Sequence, residues 1–176
     1  MRKLVVSLAL ALALVLPAGP AAAARSIDDP SWESPRWPKN TVTINPVMML
    51  YGAFNFEYER AISERVSIVA GPTYWNGKFL DSRLEIWVVD LGARIFATGQ
   101  APEGLFVSPR LSVFHGRVDD ESTDAPSFAG SILFGYSWLI GRAFDLSLGV
   151  GGMFALLDEG EVRGAPIFRT ALGVAF

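Results

Sequence analysis

Catalysis that depends on a histidine would have to use His115, because the sequence has a single His. The nearest upstream serine to His115 is Ser112, three residues away. Residues separated by an odd number point to opposite faces of a strand, so Ser112 and His115 are not expected to meet. Asp119 and Asp120 follow closely, but an adjacent acidic pair is a weak signal. The sequence therefore predicts no catalytic residue and no enzymatic activity.

A second group of side chains with possible chemistry is an acidic loop. It contains Asp119, Asp120, Glu121 and Asp124. Carboxylate oxygens are ligands for Ca²⁺ and Mg²⁺, which makes this loop a weak candidate cation site. The spacing matches no calcium-loop motif, however, and charged loops are usually solvated. The sequence favours a solvated loop, with no metal and no other cofactor.

A third group of charged residues falls at alternate positions within otherwise apolar segments. An isolated charge in a narrow interior is costly, so acids and guanidinium groups on one inward face should pair. Arginine suits such a role because its planar group holds carboxylates through two parallel bonds and stays protonated. We predict a lumen charge network, with a proton or ion path as the alternative. Its members are Glu57, Glu59, Asp90, Arg94, Arg110, Asp145 and Arg169.

The elements that would position these charges are strands, because apolar and small or polar residues alternate with a period of two. Between Ala53 and Ala61, for example, aromatic residues alternate with Asn55, Glu57 and Glu59. Pro46 is expected to make a break or an edge position in the first strand. An eight-stranded antiparallel up-and-down β-barrel is predicted. Its strands are residues 41–50, 53–61, 66–75, 83–97, 105–115, 127–139, 144–156 and 165–176.

The composition of the two strand faces indicates which one is outside. The chain is 51% hydrophobic, yet one face of each strand is mostly Gly, Ala and Ser. Small residues suit the narrow lumen of an eight-stranded barrel, so the apolar face would contact lipid. A soluble barrel with the apolar face inward is the alternative. The formal net charge of −3 and the lack of a basic stripe argue against nucleic acid.

Aromatic residues near the predicted strand ends would form belts at the two membrane interfaces. These residues are Tyr51, Tyr74, Trp75, Phe96, Phe106, Trp138, Phe144 and Phe176.

The beginning of the chain predicts export. Met1, Arg2 and Lys3 form a basic start, residues 4–16 are apolar, and Ala22 to Ala24 form a cleavage site. Residues 1–24 are therefore expected to be a cleaved signal peptide. Residues 25–40 contain several prolines and no periodicity, which predicts an irregular periplasmic lead-in. Residues 41–176 are the predicted transmembrane barrel.

The last strand ends in an aromatic residue with apolar residues at every second upstream position: Phe176, Val174, Leu172 and Phe168. This pattern resembles the closing strand of bacterial outer-membrane β-barrels, which the barrel assembly machinery reads as a signal. With the export signal and eight alternating strands, the chain resembles the small outer-membrane β-barrel domain family of Gram-negative bacteria, the OmpX-like and OmpW-like size class. The resemblance implies location in the bacterial cell outer membrane, with lipid, lipopolysaccharide and the assembly machinery as partners.

Members of that size class include adhesins, structural barrels and small-solute pores. We expect a structural or surface-interaction role with the lumen plugged by the charged network. A narrow pore for a small or hydrophobic solute is the alternative. A lipid A-modifying enzyme is a remote alternative, because the His-x-Ser motif of the lipid A deacylases is absent after His115, where Gly116 and Arg117 follow.

Overall fold

The structure is a computed structural model that describes residues 32–79, 82–118, 121–122, 127–156 and 162–176. It contains the strands β1 (Asn40–Ile44), β2 (Ala53–Ala61), β3 (Val66–Phe79), β4 (Ser82–Phe96), β5 (Gly104–Val118), β6 (Glu121–Ser122), β7 (Ser127–Ile140), β8 (Phe144–Leu156) and β9 (Val162–Ala175), with one short helix, α1 (Pro46–Leu50). In the described part of the chain, no helix is long and apolar enough to cross a membrane.

Eight of the strands close into one antiparallel barrel. Each long strand pairs with the next along the chain, β5 pairing with β7, and β9 returns to pair with β1. The two-residue strand β6 only extends the end of β5. The predicted all-β, eight-stranded, up-and-down antiparallel barrel is confirmed. A barrel has no free sheet edge wherever each strand pairs along its whole length with both of its neighbours. A strand that is paired over only part of its length leaves a free edge.

The first strand is shorter than predicted. The sequence predicted residues 41–50, but β1 ends at Ile44 and Pro46 begins the one-turn helix α1. Asn45 caps this helix, because its side-chain oxygen accepts a hydrogen bond from the backbone N–H of Met48 at 3.2 Å. Proline at the first helical position is pre-organised for a helix and cannot donate to a strand ladder. The local cap chemistry therefore overrides strand alternation here.

Other boundaries extend beyond the predicted strands. The segment 76–82, predicted as a loop, is mostly strand, because β3 and β4 keep pairing out to Phe79 and Ser82. Strand β5 continues past His115 to Val118, and β9 begins at Val162 rather than Ala165. The predicted signal peptide, residues 1–24, and residues 25–31 of the lead-in lie outside the described residues. Residues 32–39 contain turns and no strand or helix.

The two faces of the wall differ in chemistry. Most residues that point into the lumen are small or charged, and most of the large apolar side chains point away from it. Leu111, in the middle of β5, is 71% exposed. Other exposed apolar residues on the outer face are Phe54, Phe56, Ile68, Trp87, Val89, Leu91, Val113, Phe128, Ile132, Phe134, Val150, Phe154, Phe168 and Val174. The barrel therefore carries a broad apolar band on its outside.

Two residues of the predicted aromatic belts are inside the barrel instead. Phe96 and Phe106 are only 2% and 1% exposed, and their rings lie 5.9 Å apart. Phe96 lies two residues after Arg94, so period two places both side chains on the same inward face. The belt prediction was wrong for Phe96 and Phe106, and also for Trp75, because it used nearness to a strand end and not register. Trp75 is on the inward register of β3 and is half-buried, donating to the backbone oxygen of Tyr51 at 2.9 Å.

A basal cluster of buried side chains lies inside the barrel, at the end where β1 begins and β9 ends. We use this name for Ala61, Phe96, Ala101 and Phe106, against which Trp32 packs. Trp37 is also buried, and its indole N–H donates to the backbone oxygen of Ala101 at 2.8 Å. The irregular segment before β1 is thus folded against the turn between β4 and β5, and not simply against itself.

Candidate functional site

The site with the most concentrated chemistry is a carboxylate on the lumen axis, that of Glu57 on β2. Three guanidinium groups from three other strands contact it. Arg94 donates to Oε1 at 2.7 Å, Arg169 donates to Oε1 at 2.5 Å, and Arg110 donates to Oε2 at 2.5 Å. Both oxygens of Glu57 are therefore occupied by charge-assisted hydrogen bonds, which are the stronger kind.

Arg94 connects this centre to a second acid and to the basal cluster. Its Nη1 donates to Glu59 Oε2 at 2.6 Å, and the Ser67 hydroxyl donates to the other oxygen of Glu59. The Arg94 guanidinium also lies over the ring of Phe106, 4.7 Å from its centroid. Arg94 is fully buried, and its guanidinium group contacts two carboxylates and one aromatic ring. Through Arg94, the charged network contacts the basal cluster.

The remaining arginines are fixed by hydroxyl groups of the wall. Arg110 Nε donates to Ser108 Oγ at 3.1 Å, and Arg169 Nη1 donates to Ser147 Oγ at 3.0 Å. These serines lie on the strands that carry or adjoin the arginines. Small hydroxyl residues on the lumen face therefore orient the guanidinium groups and leave room for them.

Two further acids of the predicted set lie at the margin of the network. Asp145 is buried and accepts a hydrogen bond from Ser137 at 2.5 Å, and half-buried Asp90 accepts one from Ser112. Neither forms a salt bridge with another residue of the described part of the chain at hydrogen-bonding distance. The structure therefore brings five of the seven predicted charges into one ion-paired cluster and places the other two beside it.

A few buried polar atoms have no hydrogen-bond partner among the described residues. They are Arg94 Nε, Arg110 Nη2, Asp145 Oδ2 and Gln100 Oε1. The first three surround the network, and Gln100 belongs to the turn before β5. Arg110 thus keeps one guanidinium nitrogen free while its other nitrogens are bonded.

The half of the lumen away from the basal cluster has a lining that the sequence reasoning missed. Val88, Phe114, Met153 and Ile167 point inward by strand register and are half-buried. Counting every second residue along β4, β5, β8 and β9 from the buried lumen residue of each strand identifies these four positions. The lumen therefore has a charged and aromatic half, whose side chains are buried, and a partly apolar half, whose side chains are half-buried.

The other candidate residues do not form a site with these. Ser112 faces the lumen and bonds Asp90, whereas His115 is exposed on the opposite face of β5. Asp119, Asp120 and Asp124 lie outside the described residues, and only the backbone of Glu121, in β6, is described. Within the described ranges, no group of three or more His, Asp or Glu side chains is placed to hold a metal ion.

The residues predicted as an assembly signal lie on the outer face of β9. Phe168, Val174 and Phe176 are exposed, and Leu172 is half-buried between the neighbouring strands. The backbone oxygen of Phe176 accepts hydrogen bonds from the N–H groups of Lys39 and Asn40. The last residue thus takes part in closing the barrel.

A search of family profiles, of curated proteins and of solved structures found no match to this chain.

Proposed function

We propose that this protein is an outer-membrane β-barrel with a structural or surface-interaction role and a lumen plugged by its charged network. In this proposal it is exported by its signal peptide, inserted by the barrel assembly machinery, and surrounded by lipid and lipopolysaccharide. The observation that carries the proposal is the combination of an apolar outer face with a buried ionic interior.

The outer face supports a lipid environment. Soluble monomers rarely expose one continuous apolar patch of more than a few hundred Å². Here large aliphatic and aromatic side chains are exposed on all the long strands, including Phe54, Trp87, Leu111, Phe134 and Phe154. Water would make such a surface an aggregation site, whereas lipid hydrocarbon solvates it.

The contacts inside the barrel support a lumen that is filled by side chains and not an open channel. Glu57 is reached by arginines from β4, β5 and β9, so side chains from across the barrel meet near its axis. Below them, the basal cluster and Trp37 fill the end of the lumen. An eight-stranded barrel is just wide enough for side chains to fill it. A continuous aqueous path would require both layers to move.

The lipid-facing assignment predicts that Leu111→Arg destabilises the barrel refolded in phospholipid vesicles by about 2–4 kcal/mol, because an arginine near the bilayer midplane is costly. Ile62→Arg is the matched control, since Ile62 is exposed in the turn after β2, at the end of the barrel. It should cost about 0–1 kcal/mol. Urea titration monitored by tryptophan fluorescence measures both values. Equal and small effects would contradict the membrane assignment.

The plug predicts electrical silence. Purified, refolded protein in a planar lipid bilayer should give no steady conductance steps, because the network and the basal cluster close the lumen in series. The paired variant Arg94→Ala with Phe106→Ala removes the side chains at which the two layers meet. It should give brief openings if it folds. Steady conductance of the unmodified protein would instead favour the narrow pore.

A further inference from the structure

A layer of polar side chains lies directly above the charged network, on one side of the lumen. Its members are inward-facing residues of β2, β3, β4, β5 and β7, which are neighbours in the sheet. The strands of a barrel tilt, so inward residues at one height shift by a rung between some neighbouring strands. We call this layer the polar arc, and it consists of Asn55, Thr73, Asp90, Ser112 and Ser131.

The polar arc has hydrogen-bonding groups that the barrel does not use. Asn55 Nδ2 donates to Thr73 Oγ1 at 2.7 Å, and the Ser112 hydroxyl donates to one oxygen of Asp90. Among the described residues, Asn55 Oδ1, the second oxygen of Asp90 and the Ser131 hydroxyl have no hydrogen-bond partner. Two free acceptors beside hydroxyl groups are complementary to a ligand that donates several hydrogen bonds.

Water reaches the polar arc from the lumen end away from the basal cluster. Asn55 and Asp90 are half-buried, as are Val88 and Phe114 above them, whereas Glu57 below is only 3% exposed. An eight-stranded barrel is wide enough to hold one small ligand where side chains do not fill it. The space beside the polar arc therefore suits a single small molecule.

The rest of this part of the lumen is apolar. Val88 and Phe114 form the inward cross-strand pair next to Asp90 and Ser112, and half-buried Ile167 faces inward from β9. Binding sites commonly combine apolar walls with a few polar groups that orient the ligand. A complementary molecule has a polar edge and an apolar face. The pyranose ring of a sugar has both, because hydroxyl groups surround its edge and C–H groups cover its faces.

The charged network below the polar arc favours a neutral ligand. Arg110 and Arg169 contact Glu57, and Asp90 lies one inward position above the strand partner of Arg110. An anionic ligand at the arc would meet the Asp90 carboxylate, and a cationic one would meet the arginines. A charge in a confined interior is costly without a partner of its own. A neutral molecule avoids both costs.

We propose that the polar arc binds a neutral hexose in its pyranose form. Hydroxyl groups of the sugar donate to the free oxygens of Asp90 and Asn55, and one face of the ring packs against the apolar side chains. The sugar enters from the lumen end away from the basal cluster, and the charged network stops it from crossing the barrel. This binding requires only the barrel fold, not the membrane location, and goes beyond the structural role.

Saturation-transfer NMR tests this proposal. The refolded protein is kept in a zwitterionic detergent, because detergents with sugar headgroups would compete, and D-glucose, D-galactose and D-mannose are titrated separately. At least one of them should receive saturation on its ring C–H protons. Cyclohexanol has the same ring size and a single hydroxyl group, so it leaves oxygens of the polar arc unpaired. It should bind at least about tenfold more weakly than that sugar.

Variants on β4 locate the site. Asp90→Leu removes the carboxylate at similar size and should weaken sugar binding about tenfold or more, because hydrogen bonds to charged groups are the stronger kind. Glu85→Leu removes an exposed carboxylate from the outer face of the same strand and should leave the affinity unchanged. Val88→Trp fills the space above Asp90, should abolish binding, and replaces Asp90→Leu if that variant does not refold. The heat-dependent mobility shift on gels checks folding.

The outcomes separate sugar binding from the proposed function. A folded barrel that transfers no saturation to any of the three sugars overturns it. Equal affinity for cyclohexanol and the best sugar also overturns it, as does an affinity that stays the same in Asp90→Leu and Val88→Trp. None of these results bears on the membrane location, because the titrations use micelles. The comparison of Leu111→Arg with Ile62→Arg tests that location independently.

Discussion

Glu57→Leu is expected to be among the most destabilising single substitutions in the lumen. It leaves the guanidinium groups of Arg94, Arg110 and Arg169 buried together without the carboxylate that all three contact. Breaking a buried ion pair by removing one partner typically costs about 3–5 kcal/mol, because a buried charge is left uncompensated. Here three like charges would face one another. The measurement is urea or thermal unfolding of the refolded barrel, followed by gel mobility and circular dichroism.

Graded variants identify the cause of that loss. Glu57→Gln keeps the size and one acceptor but removes the charge, so its effect should be intermediate. Arg169→Leu should cost less than Glu57→Leu, because Glu57 keeps two arginine partners. Glu85→Leu removes an exposed carboxylate from β4 and serves as the control, with an expected change within about 0.5 kcal/mol. If Glu57→Leu and the control Glu85→Leu unfold at the same urea concentration and temperature, the network does not stabilise the barrel.

Gly173→Ala should impair closure of the barrel itself. Gly173 lies opposite Thr43, where β1 and β9 share only four residue pairs. A Cβ at this glycine would overlap the backbone oxygen of Val42 and lie 2.7 Å from the Cα of Thr43. Both are backbone atoms, so the strands must separate. Overpacking of this kind costs about 1–3 kcal/mol, occasionally more. We expect loss of the compact, heat-modifiable form on gels.

Gly152→Ala is the matched control for that prediction. It introduces the same methyl group into the neighbouring strand β8, where no heavy atom other than those of its chain neighbours lies within 4 Å of the added Cβ. Alanine also loses less conformational freedom on folding than glycine, so a neutral or slightly stabilising effect is expected. Equal stability of the two alanine variants would show that the contact between β1 and β9 is not tight enough to limit closure.

Sequence alternation was sufficient to predict the barrel and the inward position of its charges. Period two assigns a face to each residue, and Glu57 and Arg94 follow from it directly. It could not predict that Glu57 would take three arginines, because these lie 37, 53 and 112 residues away and meet only through the closure of the sheet. The pairing register and shear of the barrel decide those contacts.

The two principal errors have local physical causes. The first strand was predicted too long because the proline was read as a break within a strand, whereas Asn45 and Pro46 together form a helix start. Phe96 and Phe106 were placed outside because aromatic residues near strand ends were expected in belts. Their register, shared with Arg94 and Ser108, places them inside. In both cases a local rule that was present in the sequence outweighed the general expectation.

The pairing of the first strand, β1, with the last strand, β9, has a kinetic consequence. Asn40 and Phe176 are 136 residues apart, and the sheet closes only when they meet. Bringing such distant residues together costs a large amount of chain entropy before any hydrogen bond between them forms. This cost slows folding. Trp37 reaches the turn at Ala101 only when that end is assembled. The fluorescence of this indole should therefore change in the slowest phase, after the hairpins have formed.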